Sequence, residues 1–387
     1  MAAVQTLSSS AVPTPPLLSA SKRQTAAGGK PLIQVQNAGT ANKKVSFDAS
    51  KHLRFKEPSK VHTMAELGYA ENRGVSPIGV SEPFPLFSPD AIQQMRAEVL
   101  GDEVWEKHQY SSELAQCQLR GFAPDCAPFV YDAWRNPEVL SIISKIAGVD
   151  LVPVMDFEIG HINISVQTEE EKNKAMAAVV ERMNRDADEG EDIDPIVDWH
   201  TDSYPFVCVT MLSDCTNMIG GETALRCGNG EVVKVRGPQM GSAVILQGRY
   251  IEHQALRALG TTERISMVTS FRPRSSAIKD DTVLTTVRPI SDLGELYLQF
   301  SEYRFEMLEE RLRDMNRIIR DRKRARRQFD TRGVKQFIRE QIAFLEHMDR
   351  EIVQDDKVKK GVVDDSHLVS EDLRQQRSRK RARLAKH

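Results

Sequence analysis

Long apolar runs are missing from this 387-residue chain, and no stretch approaches the roughly 20 residues that span a bilayer. The first residues lack a basic segment followed by an apolar one, which argues against secretion. An excess of one charge sign is missing as well. The formal net charge is −2, which excludes a partner recruited by a global field of either sign. Cysteine is scarce and odd in number: Cys117, Cys126, Cys208, Cys215 and Cys227, with no CxxC pair. That pattern fits neither a structural zinc site nor a disulfide framework and points to reduced, mostly buried thiols. The expectation is a soluble cytoplasmic protein with no membrane partner. A hydrophobic fraction of 40% is ordinary for a globular chain of this length.

What is present falls into five stretches. Residues 1–60 are rich in Ala, Ser, Thr, Pro, Gly and Gln, a composition that predicts disorder. Residues 61–150 read as a helical support region. Ser88-Pro89-Asp90 is a helix start, and apolar residues at three-and-four spacing predict one helix over 129–147. Between 151 and 166 the period becomes two, with Ile162, Ile164 and Val166 on one face and His161, Asn163 and Ser165 on the other. A charged insertion over 168–194 follows.

From 196 to 272 come short β-rich runs (206–212, 231–235, 242–246, 265–271) separated by turns such as Gly220-Gly221 and Gly228-Asn229-Gly230. Many short strands without intervening helices predict a sandwich or barrel over 151–275. Residues 276–353 return to helical periodicity as two stripes (Leu308, Leu312, Met315, Ile319; then Val334, Ile338, Leu345, Met348, Ile352) broken at 330–333. They predict a helical hairpin, able to pack on the barrel or to pair two copies as a homodimer. Residues 354–387 read as a charged, disordered tail ending in a basic run over 379–383, a pattern compatible with nuclear import or a nucleic-acid patch but non-specific.

The β-rich stretch carries the chemistry. Trp199-His200-Thr201-Asp202 places an imidazole and a carboxylate two residues apart at a strand end, and His253 follows the strand 242–246. Two His and one carboxylate, leaving open positions opposite, is the ligand set of non-haem Fe(II) oxygenases. Ten residues beyond His253, Arg264-Ile265-Ser266 opens another strand. Its guanidinium and hydroxyl share a strand face and suit a distal carboxylate.

The spacing His200-x-Asp202, His253, Arg264-x-Ser266 resembles the core of the Fe(II)/2-oxoglutarate-dependent oxygenases, over roughly residues 199–273. The flanking Val209–Asp214 and Phe271-Arg272-Pro273 segments are similar to family members too, notably plant and fungal small-molecule hydroxylases. The resemblance implies a double-stranded β-helix (jelly roll) with flanking helices. It implies that His200, Asp202 and His253 bind Fe(II), and that Arg264 and Ser266 hold 2-oxoglutarate, with Asn163 in contact with cosubstrate or substrate. It further implies oxidative decarboxylation of 2-oxoglutarate to succinate, using dioxygen, coupled to hydroxylation, desaturation or cyclisation of a small molecule. A free amino acid such as valine, or a secondary metabolite, is the first substrate to try.

Two other readings stand beside it: the same iron chemistry on a protein or nucleic acid, or an inactive jelly roll that scaffolds partners through its C-terminal helices. His161 reads as a hydrogen-bonded strand histidine and not as a further ligand. Ile342 and Phe344, on the last helix, are candidate substrate contacts, with packing as the competing role.

Overall fold

The computed structural model describes residues 45–70, 72–112, 117–170, 172–174, 176–177, 195–216, 218–235 and 239–375. Its centre is a ten-stranded antiparallel sheet. The main run of neighbours is β1 (Ile78–Ser81), β8 (Ser242–Leu246), β5 (Phe206–Met211), β10 (Glu263–Pro273), β3 (His161–Val166) and β2 (Gln118–Leu119). A four-stranded antiparallel sheet lies beside it in the order β7 (Val232–Val235), β6 (Thr223–Arg226), β9 (His253–Leu256), β4 (Pro195–His200).

Alternation along the strands covers both faces of the large sheet. Ile162, Ile164, Cys208, Ile245, Ile265, Met267 and Phe271 point to one side. There they meet α1 (Pro89–Val99), α2 (Pro128–Arg135) and α3 (Pro137–Ala147) through Ile92, Met95, Phe129, Trp134 and Ile143. Val207, Val209, Val244, Leu246 and Val268 point to the other side and pack with Leu225, Cys227 and Val235 of the small sheet. Two packed β-layers with helices outside make the expected jelly roll.

The helical hairpin is α4 (Leu293–Arg324) and α5 (Thr331–Glu351), with Asp292 and Asp330 as N-caps accepting from Glu295 and Gly333 backbone amides. Its base packs Leu296, Phe300, Tyr303, Met307, Phe344 and Met348 against Tyr204, Leu284 and Val287. Among the described residues no helix is long and apolar enough to cross a membrane.

Four expectations change. The helix over 129–147 is two helices, because Pro137 disfavours helical backbone at Asn136, and the Asn136 side chain then caps α3 by accepting from Glu138 and Val139 amides. The period-two stretch 151–166 is interrupted by a 3-10 turn at Asp156–Glu158 and by Gly160 at φ 74°; Val130 sits where a Cβ on Gly160 would go. The folded part begins before residue 60, since Phe47, Leu53 and Phe55 pack on the main core. The tail after 354 is ordered at least to 375 and buries Val363, Val369 and Leu373. In both terminal segments a few apolar residues dock onto a core built elsewhere, which average composition conceals. Residues 1–44, most of the insertion over 168–194 and the basic run 379–383 lie outside the described residues.

Trp134 joins the helical layer to the large sheet. It is fully buried, stacks edge-on against Phe87 and Phe271, and its indole N–H lies 3.2 Å from the Met267 sulfur. Trp134→Ala should cost about 3–5 kcal/mol of stability, read as a lowered denaturation midpoint in guanidinium.

Candidate metal centre

His200 and His253 are brought together by strand pairing. β4 and β9 are antiparallel neighbours, and the register sets His253 opposite His200. Their rings lie 4.3 Å apart, centroid to centroid. Asp202, in the turn after β4, completes the group: its Oδ1 is 3.5 Å from His253 Nε2 and 3.7 Å from His200 Nε2. One ligand atom from each of the three residues lies within 4.8 Å of the others.

The surroundings prepare these atoms for a cation. His200 Nδ1 is 2.8 Å from the Asp198 carbonyl, and His253 Nδ1 is 2.9 Å from the Ile251 carbonyl. Carbonyls only accept, so each Nδ1 carries a proton and each Nε2 is left facing Asp202. The Asp202 amide donates to the Gly248 carbonyl at 3.0 Å, fixing the turn. Its Oδ2 is buried without a hydrogen-bond partner, an acceptor left over for something positively charged. Gly248 is there because nothing larger fits: a Cβ on it would lie 1.8 Å from Asp202 Oδ2.

Burial, with His253 alongside, pulls the His200 pKa down to about 4, so this ring is neutral at neutral pH. Burial works against protonation of His253 as well, but the Asp202 charge and hydrogen bond outweigh it and the pKa rises. Asp202 is held below the usual carboxylate range: burial opposes this, and the two histidines prevail. A metal entering the cluster therefore competes with a proton for His253 up to a higher pH than at an ordinary histidine.

Arg264 and Ser266 are on β10, with Arg264 across from Ser165 and Ser266 flanked by Asn163 and Met211. They share a strand face with Val268, which packs into the layer between the sheets. His253 lies opposite Leu225, which packs into the same layer. His253 and the arginine therefore both lie on the strand faces that border the gap between the sheets. Arg264 is half-buried, burial pushes its pKa down, and its Nε has no hydrogen-bond partner. A guanidinium with an unused N–H can donate to a carboxylate.

Asn163 accepts from Gln118 Nε2 at 3.1 Å on the same face as Ser266. His161, next on that face, receives a hydrogen bond from Arg120 at Nδ1 (2.8 Å), and burial with the Arg120 charge keeps the ring neutral. It is the hydrogen-bonded strand histidine expected. Phe344 and Ile342 fare differently. Phe344 is buried under the guanidinium groups of Arg304 and Arg311, and Ile342 is half exposed. Phe344 thus takes part in the packing of the hairpin base.

Several residues of the site gave no signal in the sequence. Arg120 and Glu158 form a buried ion pair, and Tyr204, two residues after Asp202, donates to Glu158 at 2.9 Å. The C-terminal segment returns to the small sheet: the Ser370 hydroxyl donates to Glu252, the neighbour of His253, at 3.0 Å, and Arg226 donates to Ser370 and pairs with Asp372. Buried Asp365, in the same segment, lies near enough for its charge to act on His200. Only the coincidence of distant stretches assembles these groups, and no spacing rule announces it.

No family model matches the chain, and no curated protein does. Solved structures do. A non-heme alpha ketoglutarate dependent epimerase, SnoN, from nogalamycin biosynthesis is 11% identical, covering 49% of this chain and 75% of its own, at a TM-score of 0.33. AviO1 from Streptomyces viridochromogenes is 14% identical, covering 51% and 90%, at 0.34. A Pseudomonas putida prolyl-4-hydroxylase is 14% identical, covering 57% and 98%, at 0.30. The neighbours include members of the family whose motif the sequence carries.

Two outcomes follow for the metal centre. Gly248→Ala should displace the Asp202 carboxylate and weaken metal binding by about 10–100-fold, measured by competition with a chromophoric chelator, while circular dichroism stays unchanged. Because His253 must lose a proton to bind, affinity should tighten by about tenfold per pH unit from pH 6 until its raised pKa is passed. A flat profile in the same titration would contradict the protonated His253.

Proposed function

We propose that this chain is an Fe(II)- and 2-oxoglutarate-dependent oxygenase acting on a small molecule. The observation that carries the proposal is the convergence of two imidazole Nε2 atoms and an unsatisfied carboxylate oxygen, on a sheet that faces the strand of Arg264, whose Nε has no hydrogen-bond partner. His200, Asp202 and His253 would hold the iron on one side, leaving its other positions to cosubstrate and dioxygen. Iron with 2-oxoglutarate, when bound, supplies the activation of dioxygen that C–H oxidation needs.

The chain's own residues do the rest. The Asp198 and Ile251 carbonyls hold each imidazole tautomer, and Gly248 leaves room for Asp202. The Arg264 guanidinium and the Ser266 hydroxyl would bind the distal carboxylate of 2-oxoglutarate, setting its keto-acid end toward the histidines. Asn163 and Gln118, on the same face, offer donors and acceptors to the cosubstrate or to a polar substrate. Burial between two sheets excludes water from the oxidation.

Similar solved structures include enzymes of nogalamycin biosynthesis, an epimerase and a carbocyclase, as well as prolyl 4-hydroxylases. A small polar metabolite, with free amino acids such as valine first, suits the hydrogen-bonding face around Asn163. The intact ligand set speaks against an inactive scaffold. Five free cysteines fit a reducing, intracellular compartment.

The test is succinate release from 2-oxoglutarate, with and without candidate amino acids, under Fe(II) and ascorbate. His200→Ala should abolish release. Arg264→Met should raise the KM for 2-oxoglutarate about 10–100-fold, the range for removing one charged hydrogen-bonding partner, with iron affinity retained. Succinate formation that survives His200→Ala would rule the proposal out.

A further inference from the structure

The helical hairpin has more apolar surface than its own fold uses. On α4 the core-facing side is Leu296, Phe300, Tyr303 and Met307. Leu298, Phe305 and Leu312 recur every seven residues on the opposite side and are 61%, 55% and 47% exposed. Ile319 continues the repeat. On α5 the exposed residues Ile338, Ile342 and Leu345 lie beside the buried pair Phe344 and Met348. A seven-residue apolar repeat on the solvent side of a 32-residue helix is a seam without an intramolecular partner among the described residues.

Charge along the hairpin is segregated. Between 311 and 340, the part that includes its turn, there are twelve Lys and Arg against four Asp and Glu. Between 293 and 310, at its base, there are five Glu against one Arg, the buried Arg304. Several of these charges also pair within the helix, as in Arg313–Glu309 and Arg317–Asp314, but these are exposed contacts of small worth.

We propose that the partner of this seam is a second copy of the chain, with the two α4 helices antiparallel about a twofold axis near Leu312. Leu312 is midway between Phe305 and Ile319, so that axis sets Phe305 of each copy on Ile319 of the other. The same axis lays the acidic base of one hairpin along the basic turn end of the other, with Glu302 beside Lys323 of the second copy. A parallel arrangement would stack twelve positive charges on twelve, which Coulomb repulsion disfavours. A polyanion such as nucleic acid would satisfy the basic end but leave Leu298 and Phe305, at the acidic base, in water. The second copy accounts for both.

Sedimentation equilibrium of the full chain should give twice its 43.6 kDa mass, with dissociation increasing as salt is raised. Leu312→Glu should give a monomer of unchanged helicity. Glu302→Lys should weaken the dimer at least tenfold, and adding Lys323→Glu to it should restore the wild-type constant, which a parallel or unrelated contact would not do. A monomeric wild type, or a dimer indifferent to Leu312→Glu, overturns the proposal. So would a monomer that binds a short duplex oligonucleotide through its basic end. Succinate release is not the readout, so failure here leaves the proposed reaction standing.

Discussion

The candidate site depends on one half-buried carboxylate placed between two imidazoles. Asp202 turns its Oδ2 away from water, and an isolated ionised carboxylate in such a place is costly. The two imidazoles offset that cost, with His253 Nε2 at 3.5 Å and His200 Nε2 at 3.7 Å from Asp202 Oδ1. The offset is incomplete, since Oδ2 has no partner. A divalent cation held by the three side chains would supply the missing interaction.

Everything around the carboxylate serves to place it. The two histidines meet because β4 and β9 pair in the register that sets them opposite, and a one-residue slip would turn one of them to the other face. The small sheet that holds them is packed on the large sheet that holds Arg264, through Val268, Leu225 and their neighbours. The apolar layer thus fixes the separation of two polar groups that never touch. Its packing is a positioning device as much as a source of stability.

The parts of this arrangement that were legible in the sequence are those governed by local rules. Short β-rich runs between turns located the strands of the core, and the N-cap at Ser88 and the break near Asp330 located helix ends. The His200, Asp202, His253 and Arg264 spacing was legible because it resembles the motif of a known oxygenase family. What stayed hidden depends on tertiary encounters. Pro137 was visible, but the helix period ran through it; the docking of Phe47 and Val369 onto a finished core leaves no periodic trace. The two arginines over Phe344 were equally hidden, because helix periodicity gives the face of a residue and not the groups that cover it. Arg120, Glu158 and Tyr204 form one network from three separate stretches, and charge or burial of any one alone predicts nothing about the others.

The return of the C-terminal segment to Glu252 and Arg226 bears on how the protein is made. All three imidazole and carboxylate ligands, and Arg264 on the facing sheet, precede the helical hairpin in the chain, whereas the segment that buries Val363 and Asp365 follows it. Vectorial synthesis therefore delivers the ligands before the segment that borders them. Until that segment emerges, Glu252, the neighbour of His253, lacks the Ser370 hydroxyl that donates to it.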